Sequence, residues 1–96
     1  MAIPRFVVAK REEIQRIATE HGARNVRLFG SFVRGEGGEE SDVDFLVEVG
    51  RQTSSWFPAG LILDLQGLLG RKVDVVTEAS LHPLLRERVL REAVPL

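Results

Sequence analysis

One segment limits what this chain can become more than any other. From Val43 to Val49 the residues alternate, with Val43, Phe45, Val47 and Val49 on one side and Asp44, Leu46 and Glu48 on the other. A period of two marks a strand with one face turned toward a core. Asp74 sits in a second apolar segment, Lys72–Thr77, well downstream of Asp44. Between them, the Leu-rich segment Phe57–Leu69 reads as a helix closed by Gly70. A strand, one helix and a strand at this separation have the length of a βαβ unit, so the two strands are expected to run parallel.

The flanking residues supply the remaining elements. Ile14, Ile17, Ala18 and His21 recur at helical spacing within Ala9–His21, and Gly22 follows as a stop. Asn25–Phe29 reads as a short strand ending at Gly30, and Ser31–Arg34 has room for one helical turn before the loop Gly35–Ser41. Gly50–Ser55 is a polar loop in which Ser54 or Ser55 is the candidate N-cap of the next helix. Pro83–Arg91 reads as a last helix, and the tail to Leu96 has room for one more strand. The order α-β-α-β-α-β-α, its second α being the short turn, defines an α/β (α+β) domain with a small mixed sheet and helices packed on one face. A chain of 96 residues holds one modest core, so residues 1–96 are expected to form a single domain.

Composition removes several function classes. With no cysteine, disulfides, thiolate chemistry and Cys-based zinc sites are excluded. Thirteen Lys and Arg against fourteen Asp and Glu leave a net charge of -1, which provides no general footprint for direct nucleic-acid binding. No apolar run approaches the ~20 residues of a membrane span, and Met1–Lys10 lacks a signal-peptide layout, so a cytoplasmic protein without a membrane partner is expected. The near-neutral total conceals an asymmetry. Glu36, Glu39, Glu40, Asp42, Asp44 and Glu48 follow one another with no basic residue between them.

Three features converge on one chemistry. Gly30-Ser31 ends the first strand, where a glycine lets backbone approach a ligand and free N–H groups suit a phosphate. A P-loop is ruled out, because Glu36-Gly37 stands where Lys-Ser/Thr is needed. Asp42 and Asp44 share one face of the second strand, with Cα atoms roughly 6.6 Å apart, a spacing suited to a hard cation. Asp74 is a carboxylate inside an apolar strand, costly unless paired with Lys72 or Arg71 or bound to a metal. Parallel pairing of the second and third strands, with antiparallel pairing of the first, brings Gly30, Asp42, Asp44 and Asp74 to one end of one sheet. Carboxylates there suit metal-assisted phosphoryl or nucleotidyl transfer, with two divalent ions and a triphosphate.

Other residues have plainer readings. His21 is expected to pack at a helix end and His82 to lie in a loop. Leu61, Leu65 and Leu68 read as core, and Trp56 and Phe57 as core in the first instance or else as a contact for a partner or an adenine. Arg86, Glu87, Arg88, Arg91 and Glu92 read as a solvated helix face.

The string Gly30-Ser31-Phe32-Val33-Arg34-Gly35, followed by Ser41-Asp42-Val43-Asp44 and by Asp74, resembles the polymerase-β-like nucleotidyltransferase superfamily. Within it, the chain is most similar to the minimal nucleotidyltransferases, small antitoxins paired with HEPN-type toxins. The likeness runs through the final helix to Arg91-Glu92-Ala93-Val94; its one departure is Val33 in place of a small alanine. It implies a nucleotidyltransferase fold in which Gly30 and Ser31 hold the triphosphate of ATP. By the same likeness Asp42 and Asp44 bind Mg²⁺, Asp74 completes the metal site and acts on the acceptor, and Arg34 supports the loop or touches phosphate. The activity it implies is transfer of AMP from ATP to a hydroxyl, such as a tyrosine, of a HEPN-type toxin, within an oligomer or hetero-oligomer. The alternative is an antitoxin that masks its partner sterically without catalysis.

Overall fold

The computed structural model describes residues 3–96; Met1 and Ala2, which head the Met1–Lys10 stretch, lie outside the described residues. Helices α1 (Arg5–Val8) and α2 (Arg11–Glu20) precede strands β1 (Ala23–Phe29) and β2 (Val43–Val49). Helix α3 (Ala59–Leu69), β3 (Val73–Thr77), a 3₁₀ turn (Glu78–Ser80), α4 (Pro83–Glu92) and the two-residue β4 (Val94–Pro95) follow. The strands form one mixed sheet in the order β3-β2-β1-β4. β2 and β3 run parallel, as the crossover length requires, while β1 pairs antiparallel with both β2 and β4.

Most of the expected elements form, with shifted edges. The first helix starts at Arg11, and a separate turn of helix, Arg5–Val8, buries Val7 ahead of it. β1 begins two residues before the expected Asn25 because it contains a bulge. Arg24 pairs with Glu48 and Arg27 with Leu46, so Asn25 and Val26 together face Val47. Asn25 takes the positive φ of 49° that such an irregularity needs, a conformation asparagine tolerates. The extra residue breaks the alternation of β1, which is why its start is hidden in the sequence. Ser54 and Ser55 do not cap α3; it starts after Pro58 with no side-chain cap. It ends as expected at Gly70, whose φ of 65° is left-handed and whose N–H donates to the Gln66 carbonyl at 2.8 Å. Ser31–Arg34 closes a hydrogen-bonded turn rather than a helix, with the N–H groups of Val33 and Arg34 both donating to the Gly30 carbonyl.

The core lies between the sheet and helices α2 and α3. Val43, Phe45, Val47, Val73 and Val75 present one sheet face to Ile14, Ala18, Leu61 and Leu65, all buried. Each large side chain removed from water there contributes about 1.5–3 kcal/mol. Leu46, on the Asp44 side of β2, is fully buried too. Helix α4, with Val89 buried, borders Phe29 and Gly30. His21 bridges elements, as a packed helix-end residue would: Nδ1 meets Ser54 Oγ at 2.5 Å and Nε2 meets Asp64 Oδ2 at 2.7 Å. His82 is more than loop, since its Nδ1 accepts from the Leu84 N–H and caps α4. Trp56 is not core; it is 86% exposed at a positive φ, while Phe57 packs partly buried against the core.

Candidate active site

Strand register builds the site. Phe29 lies opposite Asp44 in the antiparallel β1–β2 pair, so the chain leaves β1 at Gly30 directly beside the Asp44 carboxylate. The approach is close enough to demand glycine. Gly30 has a φ of 86°, and a Cβ placed on it would stand 2.2 Å from Asp44 Oδ2. In the parallel β2–β3 pair, Asp44 lies opposite Asp74. Parallel neighbours stand about 4.8 Å apart, so these two carboxylates are adjacent on one sheet edge. Asp42 precedes β2 by one residue and is exposed at the same edge.

The electrostatics record this crowding. Burial, followed by the negative charges of Asp74 and Asp42, pushes the Asp44 carboxyl up from 3.8 to about 6, against a lowering influence from Arg34. Asp74 is exposed, so it does not bear the burial cost its apolar strand suggested, and among the described residues no ion pair joins it to Lys72 or Arg71. Asp74 Oδ1 instead accepts from the Val75 N–H at 3.0 Å. Among the described residues no three carboxylate or imidazole groups close into a formed metal cage. Register thus aligns Asp44 with Asp74, and Asp42 contributes a repulsive field at Asp44. The donor set still fits Mg²⁺: every candidate ligand atom is an oxygen, and a divalent cation would offset both the burial and the neighbouring charges that raise Asp44.

The Gly30–Arg34 turn begins beside the Asp44 carboxylate. Among the described residues, the N–H groups of Ser31 and Phe32 and the Ser31 hydroxyl have no hydrogen-bond partner. Gly30 differs, because its N–H donates to Glu92 Oε2 at 2.7 Å. The contribution of Gly30 is therefore space for Asp44, while the unengaged donors of the turn belong to Ser31 and Phe32. Arg34 donates from Nη1 to Glu92 Oε1 at 2.7 Å and from Nε to Glu36 Oε1 at 3.0 Å. These two hydrogen bonds, that to Glu92 foremost, raise the Arg34 guanidinium above its ordinary value.

Glu92 is the residue that sequence reading places wrongly. Assigned to a solvated helix face, it is 11% exposed and lies across the turn. Burial alone would raise its carboxyl, but the hydrogen bonds from Arg34 and Gly30 outweigh burial and hold it below the usual range. Its position follows from β4. Val94 pairs with Leu28 in an antiparallel ladder, which sets Glu92 level with Gly30. Arg71, read from the sequence as a candidate partner for Asp74, has a different role. Its guanidinium lies 4.3 Å from the Phe6 ring centre and 5.3 Å from that of Phe32, and it donates to the Gly38 carbonyl. It thus ties down the loop that leads into Asp42.

This fold and site define a nucleotidyltransferase. The chain belongs to the nucleotidyltransferase domain family, which matches residues 10–96. More narrowly, it belongs with the minimal nucleotidyltransferases. A solved structure provisionally named a minimal nucleotidyltransferase superposes with a TM-score of 0.82 at 49% identity, covering 94% of this chain and 92% of that one. MJ0435 of Methanocaldococcus jannaschii, provisionally named a protein adenylyltransferase, is 45% identical over 78 residues, 81% of this chain and 84% of its own. The protein adenylyltransferase MntA of Thermococcus cleftensis is 42% identical over 91 residues, 86% of this chain and 92% of its own. A toxin–antitoxin structure with AMP-PNP shares the fold, with a TM-score of 0.73 at 22% identity over 88% of this chain and 69% of that one. No helix among the described residues is long and apolar enough to cross a membrane.

Proposed function

We propose that this protein is an Mg²⁺-dependent protein adenylyltransferase that transfers AMP from ATP to a hydroxyl of a partner toxin and thereby acts as its antitoxin. One observation carries the reading: Asp44 and Asp74 are adjacent by register, beside a turn with unengaged N–H donors. The protein adenylyltransferase name of MntA supports the activity, and the fold shared with a toxin–antitoxin structure holding AMP-PNP supports the setting.

In the reaction, the acceptor hydroxyl oxygen attacks the α-phosphorus of ATP. A new P–O bond forms, the bond from the α-phosphorus to the bridging oxygen breaks, and pyrophosphate leaves. The Ser31 and Phe32 N–H groups and the Ser31 hydroxyl hydrogen-bond the triphosphate, with Arg34 supplying positive charge. Asp74 takes the proton released by the acceptor. Asp42, Asp44 and Asp74 would hold Mg²⁺, which when bound neutralises phosphate charge and lowers the barrier for the attacking and leaving oxygens. A tyrosine on a HEPN-type toxin is the acceptor we propose, and the partner supplies the acceptor surface in a hetero-oligomer.

The test uses ATP labelled on the α-phosphate, Mg²⁺ and the product of the neighbouring gene. Label is expected on the partner, at a tyrosine, and absent with Asp42→Asn/Asp44→Asn. If the partner stays unlabelled and the double variant still neutralises it, the protein is a steric antitoxin and the enzymatic reading is wrong.

A further inference from the structure

We propose that Glu92 is a positioning residue for the phosphate-binding turn, acting through Arg34 and the Gly30 backbone. The inference rests on the proposed function and names a residue outside the motif that carries it. Three observations converge. The Glu92 side chain is 11% exposed, so its carboxylate is held in place. One oxygen accepts from the Gly30 N–H and the other from Arg34 Nη1, so a single group fixes both the start of the turn and the cation at its end. The pairing of Val94 with Leu28 anchors the chain just past Glu92 to β1, which leaves the carboxylate little freedom to drift.

The consequence for a nucleotide is specific. With its N–H given to Glu92, Gly30 offers no hydrogen bond to phosphate, and the Ser31 and Phe32 N–H groups remain as the donors of the turn. Arg34 is gripped through Nε and Nη1, which leaves Nη2 and its two N–H bonds without a protein partner among the described residues. Glu36 is 64% exposed, so its hold on Arg34 is the looser of the two. Without Glu92, Arg34 gains rotameric freedom and must lose it again on binding a triphosphate.

The experiment is a double-mutant cycle between Arg34 and Glu92, read by calorimetric binding of Mg²⁺·AMP-PNP and by amide exchange at Gly30. Glu92→Ala is expected to weaken nucleotide binding by about tenfold, to speed exchange at Gly30, and to have a clearly smaller effect on binding in an Arg34→Ala background, where only the hold on Gly30 remains to be lost. Glu92→Gln keeps the side-chain volume and one acceptor; it is the variant to use if Glu92→Ala does not fold, with the same pattern and a smaller loss. In transfer assays the effect should fall on the KM for ATP rather than on kcat. Unchanged affinity in a folded Glu92 variant, or an equal loss with and without Arg34, would overturn the inference while leaving the proposed function standing. Wild-type protein that binds no nucleotide and transfers no AMP sinks the proposed function, and this role with it.

Discussion

Asp44 and Asp74 stand opposite each other across β2 and β3, two carboxylates in the same register of a parallel pair. Burial of Asp44, reinforced by the charges of Asp74 and Asp42, makes stability depend on pH in an unusual direction. Because the folded value of Asp44, about 6, exceeds its ordinary 3.8, the folded chain binds more protons than the unfolded chain between those values. Stability from this group is therefore full below about pH 4, falls as pH rises to about 6 and stays low above it. Asp44→Asn should match the wild type near pH 4 and exceed it by about 1–2 kcal/mol at pH 8, after allowance for solvent screening. Urea unfolding at the two pH values measures the difference. A gap that stays constant with pH would mean that Asp44 takes up no extra proton on folding.

Gly30 and Gly70 both have positive φ, yet their replacement by alanine should have different consequences. At Gly70 nothing stands within 4 Å of an added Cβ, so Gly70→Ala should cost about 1 kcal/mol through its left-handed backbone alone and leave activity intact. At Gly30 the same methyl group collides with Asp44, so Gly30→Ala should cost about 2–4 kcal/mol and abolish AMP transfer. Denaturant melts beside the transfer assay separate the two. Equal effects at both positions would mean that the contact with Asp44 is unimportant.

If oxygen ligands at this edge take Mg²⁺, the ion stabilises the folded chain by binding it. At pH 8, Mg²⁺ at about a hundred times its dissociation constant should add roughly 2.7 kcal/mol to wild-type stability. The gain should shrink in Asp42→Asn and Asp74→Asn and vanish in Asp44→Asn. Thermal melts with Mg²⁺ and with an equal ionic strength of NaCl distinguish binding from screening. The same rise in Asp44→Asn as in the wild type would place the ion elsewhere.

Arg71 holds the loop before Asp42 by lying over Phe6 and Phe32 and by donating to the Gly38 carbonyl. Arg71→Ala should lower stability by about 1 kcal/mol and open residues 35–41 to limited proteolysis while the core strands stay protected. Arg71→Lys keeps a charge but loses the planar group, and should restore only part of the protection. Proteolysis that starts in the core would contradict this role for Arg71.

Much of this architecture can be read from residue patterns, and the exceptions have physical causes. The alternation of Val43–Val49 and the crossover length give β2, β3, their parallel pairing and thereby the Asp44–Asp74 juxtaposition. The apolar Leu61 and Leu65 give the buried face of α3. The start of β1 is obscured because the bulge at Asn25 interrupts the period. Glu92 escapes notice because its neighbours Arg88 and Arg91 make the helix look solvated; the tail has room for a strand, but nothing local signals that pairing there turns the carboxylate inward. The role of Arg71 escapes for a related reason, since its aromatic partners come from Phe6 and Phe32, remote in the chain. The candidate site is legible where one strand carries it and obscure where distant segments meet.

The sheet order adds a mechanical consequence. β4 is only two residues long and lies on the outer edge of β1, yet Glu92, just before it in the chain, grips the turn where a triphosphate would sit. Short edge strands fray more readily than the strands they border. A pull on residues 93–96 is therefore transmitted over a very short lever to Gly30 and Arg34, and a macromolecule that grasped this tail would have a hand on the proposed nucleotide-binding turn.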